Sequence, residues 1–235
     1  MMNSSWVGLI PAAGQATRIH GLPKFLLPTA EGHLLGRIEK QMRDAGVGMR
    51  VVIGSKETMP LVDQYAEKSS LRAMVACRTM SEALLKCQNF TSGKCVVMAM
   101  PDTYMADPAV MLAVMDQIEQ GADVALGVFY ARPEQRHKLG MVEWDRRTGR
   151  VLDVVDKPQA TELDEAWGVM AWRSVFWEYL DVGMPHCGYG VVPAMADGLD
   201  VRAVHIPGGY WDCGTFDEYA DLCRYLAPAE AEGRA

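Results

Sequence analysis

The chain alternates short, wholly apolar runs with segments whose apolar residues recur every three or four positions. Runs at Val7–Ile10, Val51–Ile53, Ala73–Ala76, Cys95–Met100 and Ala122–Phe129 read as buried strands. Between them, His33 to Ala45 sets Leu34, Leu35, Ile38 and Met42 on one helical face and stops at Gly46, a residue suited to the left-handed turn that ends a helix. Asp107-Pro108 reads as an N-cap and first-turn pair, opening a helix whose stripe of Val110, Met111, Val114, Met115 and Ile118 ends at Gly121. This alternation predicts an α/β fold: a doubly wound, mostly parallel mixed sheet with helices on its faces.

After about residue 130 the pattern changes. Gly140 to Asp145, the turn Arg146-Arg147-Thr148-Gly149 and Arg150 to Val155 read as a strand hairpin. Ala166 to Trp172 and Val201 to Ile206 are further strand candidates. Thr215-Phe216-Asp217-Glu218 forms a capping box, since a threonine hydroxyl can accept the amide three residues on, and a final helix runs through Tyr219, Leu222, Cys223 and Leu226. From Ala227 the Ala/Glu-rich tail is expected to fray. With no repeat or linker, residues 1–235 are read as one domain, the later half adding a smaller second part to one cleft.

Composition narrows the partners. Of 235 residues, 49% are hydrophobic, 23% charged and 8% aromatic, as in an ordinary globular protein. The net charge of -7 and pI near 5.3 leave no broad basic field for nucleic acid or an anionic membrane, so an anionic ligand must be held by a few placed cations. The six cysteines include no C-x-x-C pair and no histidine at zinc spacing, which favours reduced thiols. The first residues lack a basic leader, and nowhere do about 18 apolar residues run together as a span requires. A cytoplasmic protein is the expectation.

The first strand leads into Pro11-Ala12-Ala13-Gly14-Gln15-Ala16-Thr17-Arg18, then Pro23-Lys24. Small residues after a strand let backbone amides approach a phosphate, and the following Arg and Lys can neutralise it. Neither G-x-x-x-x-G-K-[ST] nor G-x-G-x-x-G is present, so this is neither a P-loop nor a dinucleotide fingerprint. On spacing alone, a turn of small residues carrying two solvated cations is the competing reading.

At Ala12, Ala13, Gly14, Thr17, Arg18, Pro23 and Lys24 the sequence resembles the sugar-1-phosphate nucleotidylyltransferases, whose opening motif is approximately [LP]-A-[AG]-G-x-G-[ST]-R followed by P-K. Ala16 replaces the usual glycine, and the spacer before Lys24 is short, as in compact members of that superfamily. The resemblance continues in order along most of the chain. Cys95 to Met100 followed by Pro101-Asp102-Thr103 is similar to a strand ending in a metal-binding aspartate. Gly140-Met141-Val142-Glu143 and Val155-Asp156-Lys157-Pro158 are similar to the G-x-V and E-K-P segments at the sugar phosphate. Tyr210-Trp211-Asp212-Cys213-Gly214-Thr215 is similar to W-x-D-x-G-T, which carries a second metal aspartate.

The resemblance implies a Rossmann-like nucleotidyltransferase fold and an enzyme that joins a nucleoside triphosphate, UTP or dTTP favoured, to a sugar 1-phosphate, releasing pyrophosphate. Residues to about 130 would bind nucleotide and residues from about 131 to 226 the sugar phosphate. Arg18 and Lys24 would be catalytic, drawing charge toward pyrophosphate. Ala12, Ala13, Gly14, Thr17 and Ser81 would bind nucleotide; Gly140, Asp156 and Lys157 the sugar phosphate; Asp102 and Asp212 would hold Mg²⁺. Pro158 is expected to keep Lys157 extended. Taken singly, Asp102 reads equally as a strand-end cap, Asp212 as an acceptor of loop amides, Lys157 as a solvated cation, and Thr79 with Glu82 as a capping box. Two other functions stand beside this one: cytidylyl transfer to a small phospho-alcohol such as phosphocholine, and a catalytically silent sensor of nucleotide sugars, which pyrophosphate release would separate from an enzyme.

Overall fold

The computed structural model describes residues 3–14 and 22–227. The Gln15–Gly21 segment, with Thr17 and Arg18, and the tail beyond Ala227 lie outside the described residues. A nine-stranded mixed sheet runs through the centre. Four of its strands, β1 (Asn3–Pro11), β4 (Val47–Gly54), β5 (Leu71–Met74) and β6 (Cys95–Ala99), lie in parallel in the order β5-β4-β1-β6. The chain therefore winds outward in both directions from β1, leaving a crevice at the carboxyl ends of β1 and β6 where ligands settle in such sheets.

Beyond β6 the antiparallel strand β11 (Glu165–Trp172) joins the second part of the sheet. It pairs on with β8 (Val124–Tyr130) and with β9 (Gly140–Trp144), which forms the expected hairpin with β10 (Val151–Asp156). Parallel to β8 lies β12 (Val201–His205). Only β10 and β11 run against the common direction. The turn between β9 and β10 is closed by the Asp145 carboxylate, which accepts the Arg147 amide at 2.8 Å.

Strand alternation sorts the core into two layers. Trp6, Ile10, Val97 and Phe129 face α1 (Leu34–Asp44), α2 (Met59–Tyr65) and α4 (Val110–Glu119). Val7, Leu9, Met98 and Leu126 face α3 (Met80–Lys86) and α5 (Val191–Ala196). In α1 the four expected stripe residues are fully buried, the N-cap is the His33 ring accepting the Gly36 amide at 3.0 Å, and Gly46 takes φ 84°. The α4 start differs from expectation: the helix begins at Val110, and Asp107 instead accepts the Ala109 amide at 2.8 Å in the turn before it. Thr215 caps α6 (Phe216–Leu226) by accepting the Glu218 amide at 3.3 Å. Two antiparallel pairs complete the fold: β2 (Pro28–Thr29) with β3 (Gly32–His33), and β7 (Thr103–Met105) with β13 (Tyr210–Asp212). No helix among the described residues is long and apolar enough to cross a membrane.

Candidate active site

A cleft of about 1040 Å³ opens at the carboxyl ends of the parallel strands. Its floor comes from Pro11, Ala13 and Gly14 after β1 and Met100 after β6, its walls from Ser55-Lys56-Glu57 after β4 and from Met74 to Met80. Ala12 prolongs the ladder instead, donating its amide to the Ile53 carbonyl at 2.7 Å and burying its methyl. A Cβ built on Gly14 would meet nothing within 4 Å, so no packing contact among the described residues demands the glycine there.

At the acidic end of this edge, Asp102 follows β6, and its carbonyl accepts the Cys213 amide at 3.1 Å. The β7–β13 register sets Asp212 opposite Thr103, so the two aspartates are delivered to one place by segments far apart in sequence. Lys24 sits in a short helical turn whose Phe25 is buried, and its Nζ lies 3.7 Å from Asp102 Oδ2. Tyr210 stacks on Phe129 with ring centroids 4.8 Å apart. Burial first, then the Asp212 and Asp102 charges, push the Tyr210 hydroxyl and the Cys213 thiol well above their ordinary values, so both stay neutral.

Among the described residues no three or more His, Cys, Asp or Glu side chains gather as a metal cage. Two carboxylates beside a displaceable ammonium do not suit a four-ligand zinc site. They do suit Mg²⁺, which keeps several waters and takes one or two carboxylates plus phosphate oxygens.

The hairpin carries the other predicted residues. Asp156 pairs with Gly140, Ala166 with Met141 and Val169 with Ala99, which sets the Asp156 end of the hairpin at the level reached by the chain just after β6. A bulge at Gly168 matters here: Trp167 and Val169 face successive residues Val128 and Gly127, so the extra residue turns Trp167 onto the α3–α5 face. Asp156 Oδ1 lies 3.1 Å from His186 Nε2, and Oδ2 accepts the Tyr189 hydroxyl at 2.8 Å with Lys157 Nζ at 3.7 Å. Lys157 is not extended. Its φ is 49°, in the left-handed region, and its amide donates to the Leu139 carbonyl at 3.0 Å, a long-range bond that overrides the local influence of Pro158.

Ser81 faces inward from α3, fully buried and outside the cleft lining, while Thr79, Met80 and Ala83 line the cleft. Thr79 accepts the Glu82 amide at 3.0 Å and donates to the Val182 carbonyl at 2.8 Å, which ties the cleft wall to the segment bearing His186. Sequence reasoning missed Ser55, Lys56, Trp167, His186 and Tyr189. The first two were accessible as polar residues directly after a strand; the others had no local signal.

Residues 8–175 match the family model of the MobA-like NTP transferase domain. A 2-C-methyl-D-erythritol 4-phosphate cytidylyltransferase from Saccharopolyspora erythraea is 32% identical over 174 residues, 68% of this chain and 76% of that protein. A structure described as a glucose-1-phosphate thymidylyltransferase from Bacillus anthracis, with sucrose, superposes with a TM-score of 0.82 over 97% of this chain and 98% of its own, at 16% identity. A UDP-glucose pyrophosphorylase complexed with UDP-glucose gives 0.78 over 93% and 97%, at 18% identity. At such identities the two structures share the fold.

Proposed function

The chain belongs to the MobA-like NTP transferase family and is a nucleotidyltransferase, and from that premise we propose that it joins a nucleoside triphosphate to a sugar 1-phosphate. A phosphate oxygen of the acceptor attacks the α-phosphorus, the bond from that phosphorus to the α–β bridging oxygen breaks, and pyrophosphate leaves. The attacking phosphate has a second pKa of about 6 and is largely dianionic at neutral pH, so no general base is required. Asp102 and Asp212 would hold Mg²⁺, which when bound supplies charge neutralisation between phosphates.

Positioning supplies most of the rate in such transfers. The backbone from Pro11 to Gly14 would receive the nucleotide phosphates. Lys24, beside Asp102, would bring a positive charge to the reacting phosphates. Arg18 has the same assignment from its motif position. Lys157 would hold the acceptor phosphate as a point charge, beside Gly140 and Asp156.

One observation carries the sugar reading: the Gly140 and Asp156-Lys157 segments form one ladder end at the same sheet edge as the Asp102–Asp212 pair. UTP or dTTP as donor is supported by the two structural neighbours, one described as a thymidylyltransferase and the other as a UDP-glucose pyrophosphorylase. A second reading, cytidylyl transfer to a phosphorylated alcohol, rests on the name of the 32% identical relative. The test is a matrix of five nucleoside triphosphates against sugar 1-phosphates and phospho-alcohols with Mg²⁺, scored by pyrophosphate release. Turnover confined to sugar 1-phosphates with UTP or dTTP is expected; turnover only with CTP and a non-sugar phosphate would replace the first reading by the second. Binding without pyrophosphate release would mark a sensor.

A further inference from the structure

Among the described residues, β7 pairs with β13 on one side and with no strand on the other. A ribbon of two three-residue strands is marginal by itself, so its place depends on what holds the open side. There the successive carbonyls of Met105, Ala106 and Asp107 are answered by side chains of α1. Arg37 donates to the Met105 carbonyl from Nε at 3.3 Å and from Nη2 at 3.0 Å, and from Nη2 to the Ala106 carbonyl at 3.2 Å. Gln41, one helical turn on and so on the same face, donates from Nε2 to Met105 at 3.2 Å and to Asp107 at 3.0 Å. It does so while its own Oε1 is buried with no partner among the described residues, a cost that an apolar side chain would avoid.

Arg37 also reaches two other parts of the site's frame. Its Nη1 donates to Glu31 Oε2 at 3.2 Å in the turn between β2 and β3, and its guanidinium lies over the Tyr104 ring, 4.2 Å from the centroid. Tyr104 packs with Leu27, Leu34, Cys213 and Leu222 in a small core apart from the two layers on the main sheet. Leu27 ends the turn begun at Lys24, Tyr104 lies two residues past Asp102, and Cys213 follows Asp212. The segments that carry Lys24, Asp102 and Asp212 therefore meet at one satellite core, and Arg37 fastens that core to α1.

We infer that Arg37 and Gln41 are positioning residues of the reaction: by pinning the open edge of β7 they fix the β7–β13 ribbon and so the place of Asp212 relative to Asp102. This rests on the reading of those two aspartates as the metal pair. Met105 is fully buried, so without the α1 donors its carbonyl is left unanswered, and the ribbon regains a partner for it only by shifting toward water. Such a shift carries Asp212 with it, because Asp212 is set opposite Thr103 by the same ribbon.

The test joins hydrogen exchange on the protein alone to steady-state pyrophosphate release, for wild type, Arg37→Met and Gln41→Met. Methionine keeps an unbranched apolar stem and removes the donors. The amides of Ala106 and Cys213, which donate to the Gly209 carbonyl at 2.9 Å and the Asp102 carbonyl at 3.1 Å, report on the ribbon. In each variant they are expected to exchange roughly tenfold faster or more, while Val52 and Val97 in β4 and β6 keep their wild-type rates. At saturating substrates kcat should fall roughly tenfold or more with the triphosphate KM within about twofold, and the Mg²⁺ midpoint for turnover should rise. Urea melts check that each variant is folded, and Gln41→Met carries the same test if Arg37→Met does not fold. Unchanged exchange at Ala106 and Cys213 in a folded variant would overturn the inference. So would faster exchange with wild-type kcat and Mg²⁺ midpoint, which would make the α1 side chains a prop for the ribbon alone. Wild-type turnover in Asp212→Asn overturns the reading beneath, a different result from turnover lost in Asp212→Asn and kept in the α1 variants.

Discussion

Gly168→Ala tests how the second acidic residue is placed. Gly168 is the extra residue of the β11 bulge, and a Cβ there would stand 2.4 Å from Tyr210 Cε2 and 3.0 Å from both Tyr210 Cζ and Phe129 Cε2. Ordinary contact begins near 3.4 Å, so the Tyr210 ring must retreat by about 1 Å. It is stacked on Phe129, itself buried in the core, and is blocked on that side. The displacement is therefore expected to pass along β13 to Asp212, two residues on. Overpacking of this kind costs about 1–3 kcal/mol of stability, and a shift of about 1 Å in a catalytic group costs roughly 10²-fold in rate. The assay is pyrophosphate release at saturating substrates across a Mg²⁺ titration, with urea melts run in parallel. Lower kcat and weaker metal dependence in a protein still folded at the assay temperature are expected. A folded Gly168→Ala with wild-type kcat and the wild-type Mg²⁺ midpoint would refute the idea that Tyr210 sets Asp212.

Turnover should stop in excess chelator, and Asp102→Asn or Asp212→Asn should each lower kcat by roughly 10²-fold or more, with near-normal melting; full activity in chelator would remove the metal from the reaction. Glu165→Ala should cost about 2–4 kcal/mol in urea denaturation, because this 3%-exposed carboxylate accepts from Trp144 Nε1 at 2.7 Å and Arg146 Nη2 at 3.0 Å, with His205 Nδ1 at 2.5 Å; a melt within about 0.5 kcal/mol of wild type contradicts that role. Stability should fall as acid protonates the buried His186 ring, whose polar neighbours are Asp156, Lys157 and Tyr189. His186 is depressed by burial, so its stabilising contribution is complete above its unfolded value near 6.5 and is lost as pH falls through the lower folded value; a folded His186→Gln variant whose urea midpoint falls with acid as steeply as the wild type's would exclude that contribution.

What was legible in the chain was what local chemistry decides. The α1 stripe and its Gly46 stop, the Thr79 and Thr215 caps, and the β9–β10 turn each depend on residues within a few positions of one another, and each formed as read. The same locality explains the misses. β7 and β13 are three residues each and exist because they pair with one another across more than a hundred residues of chain. Trp167 sits on the face opposite to that set by alternation from Val169, because the bulge at Gly168 adds a residue that no pattern of period two announces. Asp156 could be singled out by its motif, but its partners His186 and Tyr189 come from a segment whose position is fixed by Thr79 and by the main-chain bond from Met80 to the Pro185 carbonyl.

The charge problem posed by the sequence has a local answer. On the proposed reading a chain of net charge -7 would hold a triphosphate and a second phosphate without a broadly basic composition. Both lysines assigned to phosphate stand 3.7 Å from an aspartate, Lys24 beside Asp102 and Lys157 beside Asp156. A lysine side chain carries about 2 kcal/mol of rotamer entropy, so an aspartate that restrains it before the substrate arrives lowers the cost of ordering it afterwards. On the proposed reading Asp102 would also serve the metal, while Asp156 already accepts from Tyr189 and faces His186. When phosphate takes the ammonium, the carboxylate need not be left with an unanswered charge, provided the cation or the ring donors are in place. On that reading the pairing would couple the filling of each phosphate position to the ordering of its neighbour, with individual charges whose reach at 0.15 M salt is about 8 Å.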